Sequence, residues 1–520
     1  MSTSTQQSPP LPGTHGTERS RTGTHGATDR APGRAAPRPG AVVAVLAIAG
    51  IVVSLAQTLV VPIIGSLPTI FATDASNASW IITVTLLVGA VSTPVAGRLA
   101  DLYGKKLVLL VAIVPFLLGS AVCALASDVG TMIVGRGLQG LATGMVPLGI
   151  SLLHDVLPKE KVGSAIALMS SSMGIGGALG LPLAAAVTQF ASWRVLFWAT
   201  AVAAAAVAVA LWRVIPATDH AGTPAQARRG FDYVGTVGLA AGLVALLLAV
   251  SKGSEWGWGS AATVGCFVVA VVVLLAWGWY ELRRTAPLVD LRTTAKPVVL
   301  LTNLASILVG FAMYAMNLIV PQVMQLPVEL GYGLGQTMLQ MGLWVAPMGI
   351  GMMAVSSLGA RISRTRGPKT TLTLAGVVIA AGYGMTAIVL ATIGSRTPGP
   401  AADGVITATL VLLLVGTAIA GCGIGLAFGA MPALIMGSVP ATEKAAANGF
   451  NSLMRSVGTT ASAAVIGAVL GAMTHEVSGY ALPTLGGFVV ALVIGCAGAL
   501  IAAAIAATIP GGIRAAASHH

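Results

Sequence analysis

The stretch Gly97-Arg98-Leu99-Ala100-Asp101-Leu102-Tyr103-Gly104-Lys105-Lys106 places four charged residues in ten positions of a chain whose charged content is only 8%. Its glycines permit a tight turn. Asp101 and Lys105 stand four apart, the spacing at which an acid and a base pair across a helical turn. An acid here could also face the N-terminal dipole of a neighbouring helix. Charge stops on either side: 78–97 and 107–126 are apolar runs, each long enough to cross a bilayer core of roughly 30 Å. The stretch reads as a short loop between two membrane helices; the bland alternative is an ordinary positive loop.

The same alternation fills the chain. Of its 520 residues 56% are hydrophobic, and the mean hydropathy is +0.89. Soluble domains carry about 25% charge, so this composition excludes a soluble enzyme, a disordered protein and a secreted disulfide scaffold. Fourteen apolar runs lie near 41–64, 78–97, 107–126, 130–153, 163–188, 194–215, 233–251, 259–281, 298–321, 338–359, 371–392, 404–430, 445–473 and 484–508. They predict an all-α integral membrane protein. The 65 glycines and 27 prolines would argue against soluble helices, but membrane helices tolerate both. Residues 1–40 hold six prolines, five arginines and no aromatic residue, which predicts a disordered tail. They do not read as a signal peptide, because the apolar run begins only at Ala41 and is too long.

Cations orient the runs. With the N-terminus inside, all but five of the 28 Lys and Arg fall in tails and loops on the inner side. Arg194, Lys252 and Arg396 fall outside, and Arg136 and Arg455 lie within runs. The net charge of +12 is then a topology signal, with both termini cytoplasmic and no nucleic-acid partner. An arginine within a membrane helix costs about 2.5–3.5 kcal/mol even on the mildest scales. Arg136 and Arg455 must therefore each face a cavity or a partner inside the bundle.

Gly-x-x-x-Asp-x-x-Gly-Lys-Lys between the second and third runs resembles the signature loop of the major facilitator superfamily, and the resemblance extends over about 41–508. Fourteen runs point to its drug–proton antiporter branch, of multidrug exporter type. That implies two six-helix halves, 41–215 and 298–508, around a central linker, 216–297, carrying an inserted helix hairpin; 1–40 and 509–520 are tails. Gly97, Asp101, Gly104, Lys105 and Lys106 would form the conformational latch. Gly135-Arg136-Gly137-Leu138-Gln139-Gly140 is similar to the antiporter motif whose arginine is implicated in proton transfer. Gly180-Leu181-Pro182 is similar to the antiporters' Gly-Pro-x-x-Gly-Gly stretch, with the proline shifted and alanines at the last two glycines. Antiporters of this branch carry an aspartate where this chain has Ala56, so the standard proton-coupling carboxylate is missing. Gln57 lies at the depth to hydrogen-bond Arg136 but does not titrate.

Other signals come from spacing. Gly163, Ala167, Ser170, Gly174 and Gly177 alternate four and three apart, a seam for close helix packing that continues through Gly180 and Pro182. Asn448, Asn451, Arg455, Gly458 and Ser462 make a polar stripe, read as a cavity wall or as asparagines satisfying the arginine. Eight of the 18 methionines fall within 313–353, and flexible thioethers suit surfaces that repack around varied ligands. Met313, Tyr314, Asn317, Gln340, Met341 and Trp344 are accordingly candidate substrate contacts, against the bland reading of core and lipid contact. Gly140-Leu-Ala-Thr-Gly144 before Pro158-Lys-Glu-Lys161 is echoed by Gly421-Cys-Gly-Ile-Gly425 before Pro440-Ala-Thr-Glu-Lys444. Such repeats commonly bracket a site at the membrane midplane. The four cysteines and the histidines show no metal or redox spacing, so no cofactor or metal is expected. The resulting expectation is a monomeric plasma-membrane exporter of amphipathic cationic or neutral small molecules by proton antiport. A facilitator or importer of a metabolite, and a membrane sensor that transports nothing, are the alternatives.

Overall fold

The computed structural model describes residues 39–60, 63, 67–216, 231–285, 287–393, 402–477 and 480–510. The tail predicted over 1–40 lies outside this set except for Pro39 and Gly40, which open the first helix; the second tail also lies outside it from 511 onward. The helices longer than four residues are α1 Pro39–Thr58, α2 Ala75–Tyr103, α3 Lys105–Leu125, α4 Val129–Gly140, α5 Met145–Val156, α6 Lys159–Phe190, α7 Arg194–Val214, α8 Tyr233–Trp256, α9 Ala261–Arg283, α10 Pro297–Gln325, α11 Met338–Thr365, α12 Pro368–Ile393, α13 Ala402–Met436, α14 Lys444–Ala472 and α15 Leu485–Thr508. A small antiparallel hairpin, β1 Thr474–Val477 and β2 Tyr480–Pro483, joins α14 to α15, with Thr474 opposite Pro483.

Hydrophobic length makes these helices, and local polar residues start several of them. A helix start leaves N–H groups without intrahelical partners. Asp128 accepts from Thr131 N at 2.8 Å ahead of α4, Ser260 from Thr263 N at 3.2 Å ahead of α9, and Thr484 from Gly487 N at 3.1 Å ahead of α15. Thr337 and Gln340 cap α11 reciprocally. Thirteen helices among the described residues are long and apolar enough to cross a membrane. The run expected over 130–153 is divided: a 3-10 turn, Leu141–Gly144, separates α4 from α5. The glycines at its two ends lie hard against α2: a Cβ on Gly140, the last residue of α4, would come 2.8 Å from the Thr85 carbonyl oxygen, and one on Gly144 3.1 Å from Ala96 Cβ.

Two apolar cores result. The N-terminal one joins Leu46 and Val53 of α1, Phe116 of α3, Leu152 of α5, Ile166 of α6 and Leu211 of α7. The C-terminal one joins Val309 and Ile319 of α10, Tyr383 of α12, Leu413 and Ile424 of α13, and Phe488 of α15. They meet along two seams. On the first, α6 lies along α11: a Cβ on Gly174 would lie 2.6 Å from Met352 Sδ, and one on Gly342 2.9 Å from Pro182 Cα. On the second, α2 crosses α14: a Cβ on Gly97 would lie 2.6 Å from the Ala445 carbonyl oxygen, and one on Gly449 2.9 Å from that of Thr93. Small residues are what allow backbones to approach this closely without water to drive them together.

The α8–α9 pair stands over the second seam. Leu239, Leu243 and Leu247 of α8 share one apolar cluster with Leu87 and Ala90 of α2 and with Phe450 and Leu453 of α14. At its far end α8 is tied to α2 by polar groups. Lys252 pairs with Glu255 at 2.9 Å and hydrogen-bonds Ser79, and Ser79 Oγ donates to Glu255 at 3.1 Å. The Lys252 ammonium also sits 5.0 Å from the centroid of the Trp80 ring. Helix α9 packs on α8 and otherwise presents apolar side chains such as Val268, Val272 and Leu275 outward, as a lipid-facing helix must.

Candidate functional site

A cavity of about 240 Å³ lies between the two cores. Its wall takes Ser54, Gln57 and Thr58 from α1 and Ile82 and Leu86 from α2. Helix α6 supplies Met173, Gly174, Gly177 and Leu181, and α10 supplies Met313, Tyr314, Asn317 and Leu318. Val345, Met348, Gly349 and Met352 of α11 and Phe428 of α13 complete it. The wall is mostly thioether, aliphatic and aromatic, with a few hydroxyl and amide groups. Such a surface can follow ligands of different shape while fixing their orientation at a few points. Two of the hydroxyls are already committed: Ser54 Oγ donates to the Met173 carbonyl at 2.7 Å and Thr58 Oγ1 to that of Leu55 at 3.0 Å.

The two arginines inside the bundle sit behind this wall. Arg136 is 1% exposed and does not line the cavity. Its Nε donates to the Ile81 carbonyl at 3.2 Å, and its Nη1 to the Ala56 carbonyl at 2.9 Å and to Gln139 Oε1 at 2.7 Å. Gln139 Nε2 in turn donates to Ser120 Oγ at 2.8 Å. The guanidinium thus ties α1, α2 and α4 together and reaches α3 through the amide. In place of the expected bond between Gln57 and Arg136, Arg136 donates to the Ala56 carbonyl, and Gln57 lines the cavity instead. Arg455 lies over the Phe428 ring, 4.6 Å from its centroid, and donates to Ser452 Oγ at 2.8 Å. It lines a pocket of about 10 Å³ that shares Met173 and Phe428 with the main cavity. The asparagines of its stripe do not satisfy it. Asn448 Nδ2 donates to the Pro147 carbonyl at 2.9 Å, and Asn451 Nδ2 to Asn303 Oδ1 at 2.9 Å and Ser306 Oγ at 2.7 Å.

At the cation-rich end of the bundle the halves hold each other by several polar contacts. The Asp101 carboxylate accepts from Ala446 N at 2.9 Å and Ala445 N at 3.3 Å. It therefore sits on the N-terminus of α14, the favourable end of the helix dipole. Lys444 Nζ lies 3.3 Å from His154 Nδ1, and Arg364 Nη1 donates to the Glu160 carbonyl at 3.1 Å. Gly104, at φ 95°, makes the turn from α2 into α3 in a backbone region that L side chains rarely adopt. Lys105 does not pair with Asp101. It pairs with Asp155 and donates to the Ser151 carbonyl at 3.2 Å, fastening α3 to α5. Lys106 donates to the last carbonyls of α7, to Trp212 at 3.1 Å and to Ile215.

Among the other expected contacts, Met313, Tyr314 and Asn317 line the cavity. Gln340, Met341 and Trp344 do not. Gln340 is spent on the α11 cap, Met341 is buried in the C-terminal core, and Trp344 Nε1 donates to Gln336 Oε1 at 3.2 Å. Gln340 and Trp344 line a separate open groove with Leu410 and Leu414. Gly174, Gly180 and Pro182 pack against other helices, but a Cβ on Gly177 would meet nothing within 4 Å, and this residue faces the cavity. Met173 and Phe428 were missed from the sequence. Phe428 carries a signal in hindsight, as the one aromatic residue of α13.

The Major Facilitator Superfamily model matches residues 46–463. An uncharacterized MFS-type transporter of Mycobacterium tuberculosis is 33% identical over 61% of this chain, and the match spans 44% of that relative's length. Multidrug resistance protein 3 of Bacillus subtilis is 26% identical over 75% of this chain and 72% of its own. Multidrug resistance protein Stp of Mycobacterium tuberculosis is 28% identical over 77% of this chain and 70% of its own. The crystal structure of the human organic anion transporter MFSD10 superposes with a TM-score of 0.60 at 15% identity, covering 90% of this chain and all of that one; at that identity it bears on the fold alone.

Proposed function

The chain belongs to the major facilitator superfamily, and on that premise we propose that this transporter exports amphipathic small molecules by alternating access. The observation that carries the reading is the thioether-rich cavity walled by helices of both halves. Polar contacts close the molecule on one side of that cavity. With the termini inside, as the cations predict, the closed face is cytoplasmic and Asp101 on α14 is the latch. The distant relatives named for multidrug resistance support efflux over uptake. The test is growth of a drug-sensitive host expressing the chain, together with retention of a fluorescent amphipath. Expression should raise tolerance and lower retention, and Asp101→Asn should abolish most of the gain. A chain that changes neither is a sensor or an assembly factor, and the reading fails.

Proton antiport is the coupling that the family resemblance implies. One observation favours a second reading, transport without a coupled proton: the described lining contains no carboxylate, and Ala56 stands beside Gln57 where the antiporters carry an acid. Substrate-induced collapse of a pH gradient in inverted vesicles separates the two. Collapse supports antiport, and transport without collapse supports the second reading.

A further inference from the structure

The cavity wall carries no formal charge: no Asp, Glu, His, Lys or Arg is among its described residues. Two arginines stand behind it among the described residues. Arg136 grips the carbonyls of Ala56 and Ile81, the chain neighbours of the lining residues Gln57 and Ile82. Arg455 lies 4.6 Å from the centroid of the Phe428 ring, and Phe428 and Met173 line both the cavity and the small pocket that Arg455 lines. The partners shown for both guanidinium groups are carbonyl, amide and hydroxyl oxygens, so no carboxylate cancels either charge at close range. An arginine does not lose its proton in a protein. The cavity therefore sits in a fixed positive field, and a low-dielectric wall focuses such a field.

We propose that the cavity selects amphipathic organic anions, in place of the cationic or neutral molecules expected from the sequence, and that the bound anion is the counter-charge to Arg455. The inference rests on the exporter reading and on its branch without a coupled proton. Its physical consequence is a driving force. A negative charge leaving a cell whose interior is negative moves downhill, and 100 mV sustains about a fifty-fold concentration ratio for a single charge. A protonatable carboxylate in the cavity is then unnecessary, which accounts for Ala56. The aryl or aliphatic body of the substrate would lie on Met313, Met348 and Met352. Its anionic head would reach toward Arg455 once Phe428 and Met173 move aside.

The test uses the full chain in proteoliposomes and three probes: anilinonaphthalene sulfonate, its neutral parent N-phenylnaphthylamine, and cationic ethidium. Binding is read by fluorescence. Uptake of the sulfonate is read under a potassium–valinomycin potential, interior positive, with and without a proton ionophore. The sulfonate should bind at least about tenfold more tightly than the neutral parent, as one charge-assisted contact would give. Its uptake should follow the imposed potential and ignore the ionophore. Arg455→Gln should bring the sulfonate-to-neutral ratio close to one, and Arg455→Lys should restore most of it, which a mere loss of fold would not. Equal binding of the two naphthalenes, or a ratio unmoved by Arg455→Gln, overturns the anion assignment. Ethidium transport without sulfonate transport also overturns it and leaves the exporter reading standing. Sulfonate uptake that requires a proton gradient overturns the potential-driven step. Failure to move any of the three defeats both readings together.

Discussion

Arg136 shows how a full charge survives at 1% exposure without an acid beside it. Removing an unpaired ion from water costs several kcal/mol, and here the compensation is backbone carbonyls plus one amide, each bond to a charged donor being worth about 1.5–3 kcal/mol. The planar fork matters because its Nε and Nη1 reach different helices. Arg136→Lys keeps the charge but cannot span Ile81 and Ala56 together, and should lose about 2–3 kcal/mol of stability. Gln139→Ala should lose about half as much, since it removes one guanidinium bond and the amide's bond to Ser120, whose hydroxyl still donates to the Phe116 carbonyl. Thermal unfolding of the detergent-purified protein measures both. A lysine variant as stable as the parent would falsify the stapling role. At this scale the sequence was legible where chemistry allowed few solutions. Two arginines inside apolar runs had to find partners within the bundle, and an acid at position 101 had a helix N-terminus as one of its options. The partners themselves were not legible. Lys105 chose Asp155, fifty residues on, over the neighbouring Asp101, and the Ala56 carbonyl took the place expected for the Gln57 side chain, because both choices depend on how helices rotate against one another.

Helices here meet through absent side chains. Where α2 crosses α14, Gly97 and Gly449 each face backbone, which cannot swing aside as a methionine terminus can. A methyl-bearing residue at Gly97 would push the Ala445 carbonyl away and lift the first turn of α14 from Asp101. Gly97→Val should therefore leave each bundle folded yet prevent closure of the cation-rich face, with transport lost and the unfolding midpoint little changed. Gly177 is the control on a neighbouring seam: Gly177→Ala should transport normally, because its Cβ meets open space, whereas Gly177→Leu should block the cavity. Transport by Gly97→Val at the parental rate sinks this account of the crossing. Run length and spacing predicted the seam through Gly174, Gly180 and Pro182, since close packing in lipid needs small residues in register. They did not distinguish Gly177, whose spacing is the same but which faces the open space of the cavity. Nor did hydropathy reveal the break at Leu141–Gly144, which carries no charged residue; Pro147 has no N–H for the Thr143 carbonyl within the turn, and α2 lies close at Gly140.

Among the described residues Asp101, Lys444 and Arg364 join the halves at the cation-rich end, Asn448 to Pro147 and Ser170 to Phe428 join them deeper in the bundle, and the cavity wall is drawn from the segments nearer the opposite end of α1, α10 and α11. A protein that alternates must keep this closed arrangement only marginally favoured, or it would never leave it. One electrostatic part of the closure is the Asp101 carboxylate on the α14 N-terminus. An acid so placed contributes about 0.3–2 kcal/mol, so losing its charge should shift the open-to-closed ratio by up to about thirty-fold. The sign follows from geometry: Asp101→Asn keeps one acceptor for Ala446 N but removes the charge facing the dipole, so the closed state loses and the state open on this face gains. Spin labels at Tyr103 and Ala441, both exposed beside the crossing, should show a longer distance population in the variant. Labels at Phe190 and Leu343, exposed at the far ends of α6 and α11, should report a shorter one, because rigid halves that part on one face must approach on the other. Asp101→Glu should recover part of the closed population, since its longer carboxylate can still reach the same two N–H groups. Unchanged distances at both pairs in Asp101→Asn would mean that closure is held by the Gly97–Ala445 packing alone, and that Asp101 is a helix cap and not a latch.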